Sequence, residues 1–433
     1  MKNRIIKFFA FSSVMLSVTA NASDCHDISK VVAKQLQDAY VIETAANKLS
    51  QLISSAEFIA KCGKQGAPES IAQFMTVELN KIANDKHLAV IYDPAWVNEL
   101  TKHRAAETKD TFADKRALET PTDNYGFKKV EILEGNIGYL DIRSFADSHL
   151  GGETLENTMK FLRYTDGMII DLRHNFGGSP FMVTTLASYF FDSDTVHLFT
   201  AESRAGGVTT QLQDWTSPYV PGPRFKDTPL YILTSRNSAS AAEAFSYAMQ
   251  NLDRATLVGE VTAGAAHGRS VEIINDSFLL TLPTTRPVDP RTQSNWERTG
   301  VTPNVAAMSE NALNVAYAGV LKELTDQGNK NKELQQWVYP VVNAKSKGYK
   351  AQESDLQQVV GTYGNRKIYQ EKGKLFYQYI GDSPFEIELL DKETLAFKAF
   401  TSARLEIVYH GAKVKAIRML QFGDKSQEFD KTS

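Results

Sequence analysis

Ser240 stands where an apolar run, residues 230–233, passes through a polar turn (Ser235, Arg236, Asn237) into a helical pattern. In that pattern Phe245, Ala248, Met249 and Leu252 recur at helical spacing. A serine at such a junction can act as a nucleophile. Unpaired N–H groups and the positive end of the helix dipole stabilise an oxyanion developing beside it. The plainer reading is a capping box, Ser240-Ala-Ala-Glu243, that closes the first turn. A glycine pair, Gly177-Gly178, follows the apolar stretch 168–170 and the segment Asp171-Leu-Arg-His-Asn-Phe. Such a pair lets backbone approach a ligand closely, or simply makes a tight turn. A serine nucleophile needs a base that titrates near neutrality. Among the eight histidines, His87, His174 and His267 are the contenders.

The elements that must hold these groups follow from hydrophobic periodicity. Strands are expected at 130–133, 137–142, 167–172, 230–233, 256–258 and 278–282, with helices at 183–191 and 239–252. This alternation over 127–321 argues for an α/β core. Residues 27–83 carry helical stripes, Val31, Val32, Leu36 and Tyr40, then Ile71, Phe74, Met75 and Ile82, broken at 63–68. His87 opens the apolar run 88–92. The domain reading is a signal peptide at 1–22, a helical N-terminal domain at 23–98 and a polar linker at 99–122. An α/β core at 123–330, a second linker at 331–350 and a β-rich C-terminal domain at 351–433 complete it.

The stretch 238–264 resembles the C-terminal-processing (tail-specific) serine peptidases. The likeness rests on Ser238-Ala-Ser240-Ala-Ala-Glu243, Arg254-Ala255, Val258-Gly259-Glu260 and Thr262-Ala-Gly264. It implies a crotonase/ClpP-like core, Ser240 as nucleophile, and an oxyanion hole from Gly177 or Gly178 with the amide of Ala241. Members using a Ser-Lys dyad carry lysine where this chain has Ala265, so another base is implied. Asp85-Lys-His87 matches the histidine position of the lysine-lacking branch, which includes tricorn-type core peptidases and resembles the repeats of interphotoreceptor retinoid-binding protein. His267 is the reserve base, His174 reads as a loop residue near the cleft, and His26, His103, His149, His197 and His410 lie in segments without matching motifs. Glu297, in Glu-x-x-Gly-Val-x-Pro, is implied to orient His87 through an intervening serine, but Lys86 stands at that serine's place. The likeness to the retinoid-binding repeats extends to Ala187-Ser-Tyr-Phe-Phe191 and Ser246-Tyr-Ala-Met-Gln250, and it implies an alternative. The cleft, with Tyr189, Phe190 and Phe191 nearby, would then carry a retinoid or fatty acid without catalysis. Many tail-specific peptidases hold a PDZ module between the histidine and the core, and the interval after His87 is too short for one.

Composition bounds the rest. The chain has 433 residues, 42% hydrophobic and 23% charged, with a formal charge of −3, which gives no basic footprint for nucleic acid. Lys2, Arg4 and Lys7, a short apolar core and Ala20-Asn21-Ala22 read as a secretory signal, cleaved near Ala22. The expectation is an exported, periplasmic or secreted protein without a membrane span. Its two cysteines, Cys25 and Cys62, can join in an oxidising compartment. No metal or cofactor is expected, and the partner is a peptide or protein substrate. Oligomeric state is not legible.

Overall fold

The computed structural model describes residues 22–105, 120–423 and 426–433. Residues 1–21 of the expected signal segment and 106–119 of the expected linker lie outside them. In chain order the N-terminal elements are α1 (Ala22–Ala39), α2 (Glu43–Ser54), α3 (Ala56–Gly63), α4 (Pro68–Ala83), β1 (Ala89–Tyr92) and α5 (Pro94–Ala105). A 3-10 turn at Thr120–Gly126 leads into β2 (Phe127–Leu133), β3 (Ile137–Ile142), α6 (Ser148–Phe161), β4 (Gly167–Asp171) and α7 (Pro180–Ser188). Then come β5 (His197–Ala205), β6 (Val208–Trp215), β7 (Leu230–Thr234), α8 (Ala241–Asn251), β8 (Thr256–Gly259), β9 (Gly268–Ile273), β10 (Phe278–Val288) and β11 (Val305–Ala306). Two helices, α9 (Ala312–Gln327) and α10 (Lys332–Ser346), precede α11 (Glu353–Val359) and the strands β12 (Gly361–Tyr363), β13 (Arg366–Glu371), β14 (Lys374–Tyr379) and β15 (Phe385–Leu389). The chain closes on β16 (Thr394–Phe397), β17 (Ala403–His410), β18 (Lys413–Gln421) and β19 (Gln427–Asp430).

The chain forms two compact units. The first is drawn from 1–112, 201–212 and 267–287. Its core packs Ile28, Val32 and Leu36 of α1, Leu49 and Ile53 of α2, and Ile71, Met75 and Leu79 of α4 against Phe278, Leu280 and Leu282 of β10. Strand β1 pairs antiparallel with β10, Ala89 facing Thr281 and Tyr92 facing Phe278. Cys25 and Cys62, both fully buried, form a disulfide between α1 and α3. Residues 99–105 of the expected linker at 99–122 belong to α5. Pro94 suits a first helical turn, and Asp93 accepts the Trp96 N–H at 2.9 Å. Its polar composition is that of an exposed helix face.

The second unit holds 113–200, 213–266 and 288–433. Its six-stranded sheet runs β11-β8-β7-β4-β3-β2, parallel except for β2. Alternation along the strands sends Leu140, Ile142, Ile170 and Ile232 to one face, under α6, α7 and α8, and Ile137, Tyr139, Ile169 and Leu233 to the other, under α9 and α10. Burial on both faces is why these strands read as near-continuous apolar runs. Tyr189 and Phe190, offered above as cleft aromatics, are 1% exposed and belong to this core. Most of the expected linker at 331–350 is α10, whose Val338 and Val342 pack on α9. The helix runs through Pro340 to Ser346. Beyond α10, β12 to β19 form one antiparallel meander in chain order. Its first strand meets the chain end through Thr362 N–H to Ser433 O at 3.0 Å, giving a barrel-like closure.

Candidate active site

Ser240 lies between β7, buried along its whole length, and α8. Its backbone has φ 54° and ψ −117°. An ordinary N-cap residue sits in the extended region, so capping alone does not ask for this conformation. Holding a non-glycine residue there costs about 1–3 kcal/mol and needs surroundings that over-determine it. Strained strand-to-helix turns of this kind present nucleophilic hydroxyls in other hydrolase folds. Small neighbours make room, with Ala239, Ala241 and Ala242 around the serine. The turn is pinned from below by Ser238, fully buried, whose hydroxyl donates to Leu172 O at 2.7 Å.

The glycine loop lies against this turn. Gly177 has φ 106°, and a Cβ there would stand 2.7 Å from Ser240 Cβ and 3.1 Å from Ala241 N. Only glycine permits that approach. Gly178, φ 141°, is as constrained, since a Cβ would meet Phe145 O at 2.1 Å. Asn175, fully buried and not singled out from sequence, organises the loop. Its Oδ1 accepts the Gly177 N–H at 2.8 Å, its Nδ2 donates to Ile142 O at 3.1 Å, and its carbonyl accepts the Ala239 N–H at 3.1 Å. The Gly177 amide is therefore spent on Asn175, which leaves Gly178 as the candidate of the expected pair. Among the described residues the N–H groups of Gly178 and Ala241 have no acceptor. His174, in the same loop, is exposed.

Two further loops are zipped together near α8. Thr262 Oγ1 accepts the Val301 N–H at 2.7 Å, Gly264 O accepts the Arg298 N–H at 2.9 Å, and Glu297 Oε2 accepts the Ala266 N–H at 2.7 Å. Trp296, 1% exposed, anchors the second loop against Phe199 and Tyr247. Glu297, expected from sequence to orient a histidine, thus holds the residue just before His267 in the chain. Glu243 binds the first loop to the serine turn. Its carboxylate accepts from the Ser240 N–H (2.9 Å), Thr262 Oγ1 (2.5 Å), the Gly264 N–H (2.7 Å) and the Ala265 N–H (2.9 Å).

The other unit gathers two of the histidines on one carboxylate. Helix α4 ends at Asn84 in a left-handed turn (φ 45°, ψ 46°). The next residue, Asp85, is 2% exposed and takes the His87 backbone N–H on Oδ1 at 2.9 Å. His87 Nδ1 lies 3.3 Å from that same oxygen. His267 Nδ1 lies 2.7 Å from Oδ2, and since the carboxylate can only accept, the ring donates there. Burial pushes the Asp85 carboxyl up, but contacts from His267 and then His87 outweigh it and hold the group well below the usual carboxylate range. Asp85 is the residue that sequence reasoning quoted without a role. The motif that named His87 contained it, and the 182-residue separation from His267 hid the rest.

Residues 136–307 match the family model of Peptidase family S41. Carboxyl-terminal-processing peptidase 3, chloroplastic, of Arabidopsis thaliana is 27% identical over 170 residues, which are 39% of this chain and 31% of that protein. Carboxy-terminal processing protease CtpB of Bacillus subtilis is 25% identical over 202 residues, 45% and 39% of the two chains. The chain thus spans about a third of the length of these curated relatives. A lipoprotein from Streptococcus agalactiae is a solved structure that aligns with 69% of this chain and 96% of its own, at 16% identity and a TM-score of 0.45. No helix among the described residues is long and apolar enough to cross a membrane.

Proposed function

We propose, from the premise that residues 136–307 belong to peptidase family S41, that the chain is a serine peptidase acting on peptides or proteins. Ser240 Oγ attacks the scissile carbonyl carbon as His87 takes its proton. The oxyanion of the tetrahedral intermediate is held by the amides of Gly178 and Ala241. The histidine then returns the proton to the leaving amine nitrogen, and water repeats the sequence on the acyl-enzyme. Asp85 Oδ1, 3.3 Å from His87 Nδ1, is the carboxylate placed to orient that ring. Glu297 is given the orienting role, and its carboxylate takes the Ala266 N–H, beside His267 in the chain. The observation that carries the reading is the strained backbone of Ser240 beside two amides without acceptors. A cap needs neither.

A second assignment of the base, to His267, is favoured by its 2.7 Å bond to Asp85. A fluorophosphonate probe separates the possibilities. The wild type is expected to label, and Ser240→Ala and His87→Ala to lose labelling. Loss in His267→Ala with retention in His87→Ala moves the base to His267. A folded wild type that does not label removes the peptidase reading. The carrier of an apolar ligand is the weaker reading, because Tyr189 and Phe190 are core rather than cleft. Export to an oxidising compartment is part of the proposal, and the Cys25–Cys62 disulfide supports it.

A further inference from the structure

We infer that Glu243 is a positioning residue for the nucleophile, setting the Ser240 backbone and locking it to the loop at 262–265; this rests on Ser240 being the nucleophile. A capping glutamate reaches back to one N–H at a solvated helix end. Glu243 makes that capping-box bond and is besides fully buried, with no cationic partner among the described residues. It serves four donors, and three of them lie about twenty residues further on. Ser240 N–H and Ala265 N–H share Oε2, while Thr262 Oγ1 and Gly264 N–H share Oε1. Two carboxylate oxygens offer about four acceptor sites, and all are used. Every contact is a donor to it, so the side chain is an acceptor throughout, which a carboxylate can be and an amide cannot. The Ser240 backbone is therefore held from two sides, by the Glu243 bond to its N–H and by Gly177 packed against its Cβ. Such over-determination is what a strained nucleophile requires.

The test uses Glu243→Gln, Thr262→Val and Thr262→Ser in the full chain, with fluorophosphonate labelling and steady-state hydrolysis of a p-nitrophenyl ester. Circular dichroism fixes a temperature at which each variant is folded. Glu243→Gln keeps the shape but turns an NH2 group toward two donors, and its labelling is expected to slow about 100-fold. Thr262→Val removes one donor to Glu243, together with the acceptor of the Val301 N–H, at nearly constant volume, and Thr262→Ser keeps both. Thr262→Val is expected to lower kcat about 3–10-fold at unchanged KM, with Thr262→Ser restoring the wild-type rate. A folded Glu243→Gln that labels within about twofold of wild type overturns the role and leaves the serine peptidase reading standing. So does a Thr262→Val that keeps kcat or changes KM alone. If Glu243→Gln does not fold, the Thr262 pair decides. A wild type that does not label refutes the nucleophile itself, a separate outcome.

Discussion

Gly177 and Asp85 show how much each site depends on single atoms. A Cβ at position 177 would press on Ser240 Cβ at 2.7 Å and force a positive φ on an alanine. Gly177→Ala is expected to cost about 1–3 kcal/mol in thermal unfolding and to slow fluorophosphonate labelling about 100-fold. Labelling at the wild-type rate would mean the loop does not position the serine. Asp85 gives a pH prediction. Its folded-state pKa is depressed below the unfolded value, so its contribution to stability is present above the ordinary carboxylate range, around pH 4, and is lost as pH falls below it. The thermal midpoint should therefore drop below about pH 4 in the wild type and less steeply in Asp85→Asn. Equal slopes would show that Asp85 is not linked to folding. Ser240 and the glycine pair were legible because their chemistry is written in adjacent residues. Asn175 and Asp85 were not, because each acts through partners contributed by distant segments, and neither is unusual in its own neighbourhood.

The elements that proved hardest to read are those whose composition misstates their role. Helix α5 is polar because one face meets water, so its composition reads as a connection. The inner strands β3, β4 and β7 are the easier case, since burial on both faces leaves mostly apolar residues. In the helical unit, α1 and α3 are tied by a disulfide closing a separation of 37 residues. Loop-closure entropy puts its worth at about 4 kcal/mol. The double variant Cys25→Ser, Cys62→Ser should unfold at a lower urea midpoint with a similar slope, whereas an unchanged midpoint would assign the stability of that helical pair to packing alone. Further along, Arg404 donates to Trp337 O at 2.7 Å and stacks over its ring at 4.2 Å. That contact joins β17 to α10.

At the scale of the molecule, sequence order and spatial order part company. The N-terminal helices were read as a domain ending near residue 98, yet their core includes Ile274, Phe278, Leu280 and Leu282. Strand β1 has its partner in β10. Residues 22–105 expressed alone should therefore fail to fold cooperatively, with a broad thermal transition by circular dichroism, and a sharp transition would show that β9 and β10 are dispensable to them. No local pattern announces such sharing, because periodicity reports which face is apolar and not what covers it. The same arrangement sets a clock on synthesis. The described helices of the first unit have all been made when residue 105 has been added, but β10 is made about 170 residues later, roughly ten to thirty seconds at ordinary elongation rates. For that interval the apolar faces of α1, α2 and α4 are waiting for a strand that does not yet exist, and whatever shields them in the meantime decides the yield of folded protein.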